Sequence, residues 1–177
     1  MYTTLISVAQ LQALMLGSGG FDSKKLMIWD CSGDLMNPPA ARTAYEQQHL
    51  AGASFIDLDH DLSDKSDAAD KVSGGRHPLP SREKFAAWVG AAGITPEMQV
   101  IVYDRNGCNY CGRAWWMLKW IGHEKVAVLD GGLQAWMAAG EEQSKLVVAI
   151  ETLEVCIADG AISVGKAFRC YLAAIAF

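Results

Sequence analysis

Short apolar runs alternate with stretches of helical periodicity along most of this chain. Each apolar run is brief and bounded by turn-forming residues, which is typical of buried strands. Apolar positions spaced three and four residues apart predict amphipathic helices between these strands. The predicted strands are Lys25–Cys31, Ala53–Asp57, Gln99–Tyr103 and Val126–Leu129. The predicted helices are Val8–Met15, Ala40–His49, Phe85–Ala92, Tyr110–Ile121 and Leu133–Met137.

The first helix has clear signals at both ends. Ser7 and Gln10 match a capping box, in which the side chain of each residue bonds the backbone N–H of the other. Ile6 and Leu11 can form the hydrophobic staple that accompanies such a box. Gly17 is expected to end the helix.

The strict alternation of strands and helices favours parallel strands covered by helices on both faces. We therefore predict an α/β domain of three layers, with a central parallel sheet of four or five strands between helices. This domain is expected to span residues 1–144, followed by an apolar tail at 145–177 to which no domain is assigned. The polar stretch Leu58–Pro80 predicts a long loop, and loops of this length are often functional.

Composition narrows the possible partners. The chain has 177 residues, a hydrophobic share of 51% and a net charge of −5, which suits one globular domain. No run of Lys or Arg exceeds two residues, so the basic face that nucleic acid requires is not predicted. No segment reaches the roughly 18 apolar residues of a membrane span, and no signal peptide is recognised. Five cysteines do not suggest a disulfide framework, and a reducing cytoplasm is the expected compartment.

The loop after the clearest strand is the best candidate for chemistry. The strand ends at Tyr103, and the residues D-R-N-G-C-N lead from it into a helix. Ligands of open α/β sheets sit beyond the carboxyl ends of the strands. Successive backbone N–H groups and a helix N-terminus form a cradle for an anion. A cysteine at the start of this loop would be stabilised as a thiolate and could carry sulfur as a persulfide.

Several motifs carry a family resemblance. An N-terminal rhodanese domain is closely resembled by the run VIVYDRNGCNYCGRAWWMLKWIGHEKVAVLDGGLQAWMAAG. Upstream, the matching order continues with LMIWDCSGDL, YEQQHLAGA, SFIDLDHDLS and GGRHPLP. Over roughly Ser7–Gly140 the chain resembles the first domain of two-domain thiosulfate and 3-mercaptopyruvate sulfurtransferases. The resemblance implies a rhodanese-like fold and a domain that supports a second, reactive one.

Two departures from the family pattern bear on activity. Asp104 stands where a reactive domain has its persulfide cysteine. A carboxylate cannot carry a persulfide, and its charge opposes an anionic substrate, so we expect the chain alone to be inactive. The tail after about Gly140 does not resemble the linker and catalytic domain of the family. The partner cysteine loop is therefore expected to be absent, through truncation or a change of sequence in this region.

The resemblance also implies roles for other residues. An Asp–His pair of the mercaptopyruvate branch resembles Asp59 and His77, with the histidine as proton acceptor for a serine of the second domain. Arg113 matches an arginine that recurs in the family and is structural or faces an anion. Together with Arg105 and Gly107 of the loop, Arg113 is a candidate substrate-binding residue.

Simpler interpretations stay open for each of these residues. Asp104 can be an acceptor for the N–H groups of its own loop. Asp59 and His77 can be a solvated carboxylate and a histidine that holds the loop. Cys108 and Cys111 form a C-x-x-C, and Cys108 could act as a displaced sulfur acceptor or simply replace a small residue. A single C-x-x-C supplies only two metal ligands, so no metal or cofactor is predicted.

The candidate partners follow from the same resemblance. Small sulfur compounds are the expected substrates, bound weakly or not at all by this chain alone. First domains of the family bury one face against the second, so an exposed apolar patch is expected here. That patch could bind a partner rhodanese domain or a second copy of this chain.

Overall fold

The computed structural model describes residues 1–16, 22, 24–66 and 75–139. Its contacts divide the chain into two units, Met1–Trp136 and Met137–Phe177. Only the first three residues of the second unit belong to the described part. The predicted tail at 145–177 lies outside it, and the domain boundary at residue 144 stays a prediction.

One parallel sheet of five strands forms the centre of the first unit. In chain order the strands are β1 (Leu5–Ile6), β2 (Leu26–Asp30), β3 (Ala53–Phe55), β4 (Gln99–Tyr103) and β5 (Val126–Leu129). Their spatial order is β1-β5-β4-β2-β3, and every neighbouring pair is parallel. β5 is buried at all four of its positions, as expected for a strand covered on both faces. The predicted α/β fold is confirmed.

Helices follow the strands as the sequence predicts. They are α1 (Val8–Leu16), α2 (Pro38–Gln47), α3 (Arg82–Ala91), α4 (Cys111–Trp120) and a fifth, α5, over residues 132–139. The predicted start of α2 at Ala40 is wrong by two residues. Pro38 and Pro39 lie inside its first turn, where the missing N–H of proline needs no partner.

Strand β1 is the element that the sequence pattern does not predict. It contains only Leu5 and Ile6, which is too short for a recognisable alternation. Pairing with β5 defines it, since Thr4 O accepts a bond from Val128 N at 2.9 Å and Ile6 O from Asp130 N at 2.9 Å. The capping box next to it is confirmed: Ser7 N donates to Gln10 Oε1 at 2.9 Å, and Gln10 N donates to Ser7 Oγ at 3.3 Å.

The hydrophobic core lies between the sheet and the helices on its faces. The apolar side chains of β2, β4 and β5 meet those of α3 and α4 there, with Trp29 and Phe85 among the largest. Trp115 packs against this core, whereas Trp116 lies outside it. Trp116 is 44% exposed and stacks on Trp120.

The parallel arrangement brings three loops to one edge of the sheet. β2, β3 and β4 are neighbours, and their carboxyl-terminal residues Asp30, Phe55 and Tyr103 lie in register. The loops that follow these residues therefore begin side by side. Across the ranges that the structure describes, no helix is long and apolar enough to cross a membrane.

Candidate functional site

The loop after β4 closes around the side chain of Asp104. This carboxylate is fully buried and accepts four backbone N–H groups of its own loop. Oδ1 accepts from Asn106 at 2.8 Å and Cys108 at 2.9 Å, and Oδ2 accepts from Tyr110 and Cys111, both at 2.9 Å. The predicted amide cradle is therefore present, and a carboxylate of the chain itself occupies it.

Two successive residues in the left-handed region turn these amides inward. Gly107 has φ of 72° and Cys108 has φ of 66°. Such a turn presents neighbouring N–H groups to a single anion. Glycine adopts this conformation freely, whereas a residue with Cβ is disfavoured by roughly 1 kcal/mol. The loop thus tolerates local strain at Cys108 while all four amides reach the carboxylate.

The Gly131-Gly132 turn, at the start of α5, packs against the backbone of Asp104. Leu133 N donates to Asp104 O at 3.0 Å. A Cβ on Gly132 would collide with that same carbonyl oxygen. Glycine at position 132 therefore lets the start of α5 approach the loop closely.

Arg105 directs its guanidinium away from the amide cradle. Its Nη2 donates to Gln48 O at 2.7 Å and to Ala44 O at 3.1 Å, at the end of α2. Its Nε and backbone N both donate to Ser32 Oγ. The structure thus places Arg105 as a link between its own loop, the loop after β2 and the end of α2. The predicted substrate contact of Arg105 and Gly107 stays a prediction.

The two cysteines of the C-x-x-C lie in opposite environments. Cys108 is exposed, whereas Cys111 is fully buried in the core. Burial, with the Asp104 carboxylate nearby, raises the pKa of the Cys111 thiol far above its usual range. Cys31 is also buried, and burial raises its pKa. Within the described part of the chain all three are free thiols, and no cluster of acidic, Cys and His residues could hold a metal ion.

Asp59 and His77 come together from two stretches of the long loop after β3. Nδ1 of His77 lies 2.8 Å from Oδ1 of Asp59, at ion-pair distance although out of line for a well-directed hydrogen bond. Nε2 of His77 is buried, without a hydrogen-bond partner among the residues whose structure is known. Lys65 Nζ lies 2.7 Å from the other carboxylate oxygen. Lys65, assisted by His77, lowers the pKa of Asp59 despite partial burial.

Arg113 reaches from the first turn of α4 to both stretches of this loop. Its Nε and Nη2 donate to Leu62 O at 3.1 and 2.9 Å. Nη2 also donates to His77 O at 3.0 Å. Burial lowers the pKa of this guanidinium. The structure therefore shows Arg113 bonded to backbone carbonyls, and its candidate role in substrate binding stays a prediction.

A shallow pocket, open to solvent, lies between the long loop after β3 and the loop after β2. Asp59 and His77 line one side, and Arg76 lies beside them. The loop after β2 and the ring of Tyr110 complete the wall, the former contributing Ser32, Gly33, Asp34 and Leu35. Asp104 lies below this surface, fully buried.

Sequence reasoning did not find Lys65 or Ser32. Lys65 is one charge within a polar loop, and Ser32 is an ordinary small residue after a strand. Their importance comes from long-range placement, Lys65 on Asp59 and Ser32 under Arg105. No local pattern in the chain signals either contact.

A family model for the rhodanese-like domain matches residues 9–139. The chain belongs to the rhodanese-like family. This match covers all of the described secondary structure except β1 and the first residue of α1.

Named relatives of this rhodanese-like chain are sulfurtransferases. It is 38% identical over 136 residues to a Pseudomonas aeruginosa protein named probable 3-mercaptopyruvate sulfurtransferase, covering 76% of this chain and 47% of that protein. It is 34% identical over 143 residues to thiosulfate sulfurtransferase of Bos taurus, covering 79% and 45%. The solved 3-mercaptopyruvate sulfurtransferase from Leishmania major aligns at a TM-score of 0.62 and 29% identity, covering 78% and 35%. The chain spans about half or less of the length of these relatives.

Proposed function

We propose that this rhodanese-like domain supports sulfur transfer by a second rhodanese-like domain and does not carry sulfur on its own loop. The observation behind this proposal is the Asp104 carboxylate that accepts four loop N–H groups. In a reactive loop a cysteine thiolate attacks the outer sulfur of thiosulfate, releases sulfite and keeps the sulfur as a persulfide. Cyanide then takes that sulfur and leaves as thiocyanate.

A carboxylate cannot perform the first step of this reaction. Its oxygens form no stable bond to a sulfane sulfur, and both are already used as acceptors for loop amides. The negative charge at Asp104 also opposes the entry of an anionic donor. The same four hydrogen bonds stabilise the loop. We propose that the residue that prevents sulfur transfer therefore also makes the loop more rigid.

The pair formed by Asp59 and His77 is the part of the domain that we propose takes part in catalysis. Asp59 beside Nδ1 favours the tautomer with its proton on that nitrogen, which leaves Nε2 as proton acceptor. The pair lines an open pocket, but Nε2 is covered in the isolated chain, so docking of a second domain has to uncover it before a hydroxyl group can approach. His77 would then accept the hydroxyl proton while Asp59 orients the ring.

A thiosulfate and cyanide turnover assay on the pure chain tests the proposal. We expect thiocyanate formation at the rate of the buffer control, for the wild type and for Asp104→Ala alike. A wild-type two-domain sulfurtransferase serves as the positive control. Robust turnover that survives Asp104→Ala would show that the sulfur carrier lies elsewhere in the chain.

A second candidate function uses Cys108 as the sulfur acceptor. Its exposed thiol at the rim of the loop favours this alternative. The four amides, however, point at Asp104 and not at this sulfur. After incubation with thiosulfate or mercaptopyruvate, persulfidation would add about 32 Da to the peptide containing Cys108. An unmodified peptide beside a labelled control protein would exclude the alternative.

The third candidate function is binding of a second copy of this chain. Leu35 lines the pocket, and Leu35 and Met36 are exposed, Met36 by 91%. Such an apolar rim suits burial against another domain. Light scattering over a range of concentrations distinguishes the alternatives, because a homodimer dissociates on dilution and a strict monomer does not change. The three cysteines that the structure describes are free thiols, and we propose a reducing cytoplasm as the site of action.

A further inference from the structure

Arg113 joins the two loop stretches that carry Asp59 and His77. Asp59 belongs to the first stretch, whose Leu62 carbonyl accepts two bonds from this guanidinium. His77 belongs to the second stretch, and its own carbonyl accepts a third bond. The planar guanidinium therefore spans both stretches with one side chain.

This geometry requires an arginine. Two nitrogens of a fixed fork address one carbonyl while Nη2 also reaches the other, whereas a lysine ammonium is a single point of donation. The Arg113 side chain is partly buried, and desolvation of a cation is costly unless its donors are satisfied. The two carbonyls provide that satisfaction, so the loop and the arginine stabilise each other.

A backbone bond also joins the two stretches. Asp64 N donates to Pro78 O at 2.8 Å. This bond anchors Pro78, the residue after His77. The carbonyl of His77 itself accepts its bond from Arg113. Arg76 Nη2 also donates to Leu35 O at 2.9 Å, so both neighbours of His77 are anchored. Loss of the guanidinium therefore removes the bond made by the peptide of His77 itself while the loop stays attached on either side.

We infer that Arg113 is a positioning residue, which holds the imidazole of His77 against the carboxylate of Asp59. Its catalytic meaning rests on the function proposed above, but the positioning itself is a property of the isolated chain. Arg113 acts through the backbone of His77 and does not contact a reacting atom in this role.

Nitrogen NMR of His77 tests the inference directly. The chemical shift of Nδ1 responds to the adjacent carboxylate, so Asp59→Asn changes it in the wild-type background. In an Arg113→Met background we expect the effect of Asp59→Asn to fall by about threefold or more, because coupling between two residues requires their contact. Arg113→Lys, which keeps the charge and can reach one carbonyl, should restore part of the effect.

Lys119→Met is the matched control. Lys119 lies on the same helix and bonds Glu124, away from the long loop, so the effect of Asp59→Asn should be unchanged. If Arg113→Met does not fold, Arg113→Lys provides the test by itself, and an intermediate effect is expected. An undiminished effect in either folded variant would overturn the inference. Because the measurement needs no sulfur transfer, failure of the proposed function leaves its outcome unaffected.

Discussion

At the scale of single residues, Asp104 accepts the four loop N–H groups that converge on its carboxylate. We propose that it stands where a reactive rhodanese-like loop carries its cysteine. The sequence shows the substitution and allows both a catalytic and a structural role. It cannot show that every one of the four amides has converged on one carboxylate, because that depends on φ at Gly107 and Cys108.

Removal of the Asp104 carboxylate should strongly destabilise the domain. Asp104→Ala leaves four N–H groups of a partly buried loop without their acceptor, and each lost partner costs on the order of 1–3 kcal/mol if water cannot replace it. We expect a loss of about 3 kcal/mol or more in the free energy of unfolding, measured with urea. Asp34→Ala is the matched control.

The control accepts two N–H groups where Asp104 accepts four, and it lies in exposed surroundings. Asp34 also accepts two backbone N–H groups, from Met36 and Asn37, but all three residues are exposed. Water can replace its carboxylate, so a loss of about 1 kcal/mol or less is expected. Equal losses at the two positions would show that burial of the amide cradle contributes little.

Two lysine–aspartate pairs, one within the long loop and one between that loop and α3, predict a specific pH response. Lys84 Nζ lies 2.6 Å from Asp64, and this bond, with those from Ser66, lowers the pKa of Asp64 to about 2. Since the folded pKa is below the unfolded value of about 3.9, Asp64 contributes stability above pH 4 that is lost as the pH falls toward 2. Lys84→Met should make unfolding less dependent on pH across this interval.

Carboxyl NMR separates the two pairs. Lys84→Met should raise the pKa of Asp64 and leave that of Asp59 in place. Lys65→Met should raise the pKa of Asp59 and leave that of Asp64 in place, because Lys65 makes the largest contribution to the lowered pKa of Asp59. A change in the pKa of both carboxyls in either variant would mean that the loop rearranges as a whole, and the assignment of separate pairs would be wrong.

At the scale of secondary-structure elements, strands with an unbroken apolar run were predictable and the two-residue strand β1 was not. β4 and β5 have the predicted bounds because their runs are buried on both faces. β1 depends on the carbonyls of Thr4 and Ile6 meeting β5, which is far away in sequence. Likewise, the Asp59–His77 contact needs the path of a loop that has no periodicity to reveal it.

The capping box of α1 is an element-scale feature with a measurable effect. Ser7→Ala removes the acceptor for Gln10 N and the hydroxyl that stabilises the first turn. Loss of such a cap typically costs about 1 kcal/mol, and we expect that reduction in the free energy of unfolding. Gln12→Ala, one turn into the same helix, should change stability by less than half as much. Equal losses in the free energy of unfolding for the two variants would indicate that the cap formed by Ser7 adds nothing specific to stability.

At the scale of the whole molecule, the sheet accounts for why separate sequence motifs form one site. The loops after β2, β3 and β4 start from one edge of the sheet. Residues from all three regions, Ser32, the Asp59–His77 pair and Tyr110, therefore line one pocket. The alternation of strands and helices was sufficient to predict this edge. It was not sufficient to predict the fixed positions of side chains such as Arg113, which bonds loop carbonyls rather than another charged group.

We propose that the loop is a complete anion cradle that lacks only a sulfur atom. It is tested by the intact mass of two chains after incubation with thiosulfate, both carrying Cys108→Ser to remove the exposed thiol. With Asp104 retained, the mass should not change. With Asp104→Cys added, persulfidation at the four amides should increase the mass by about 32 Da. A gain in the chain that keeps Asp104, or none in a folded Asp104→Cys chain, would contradict the account.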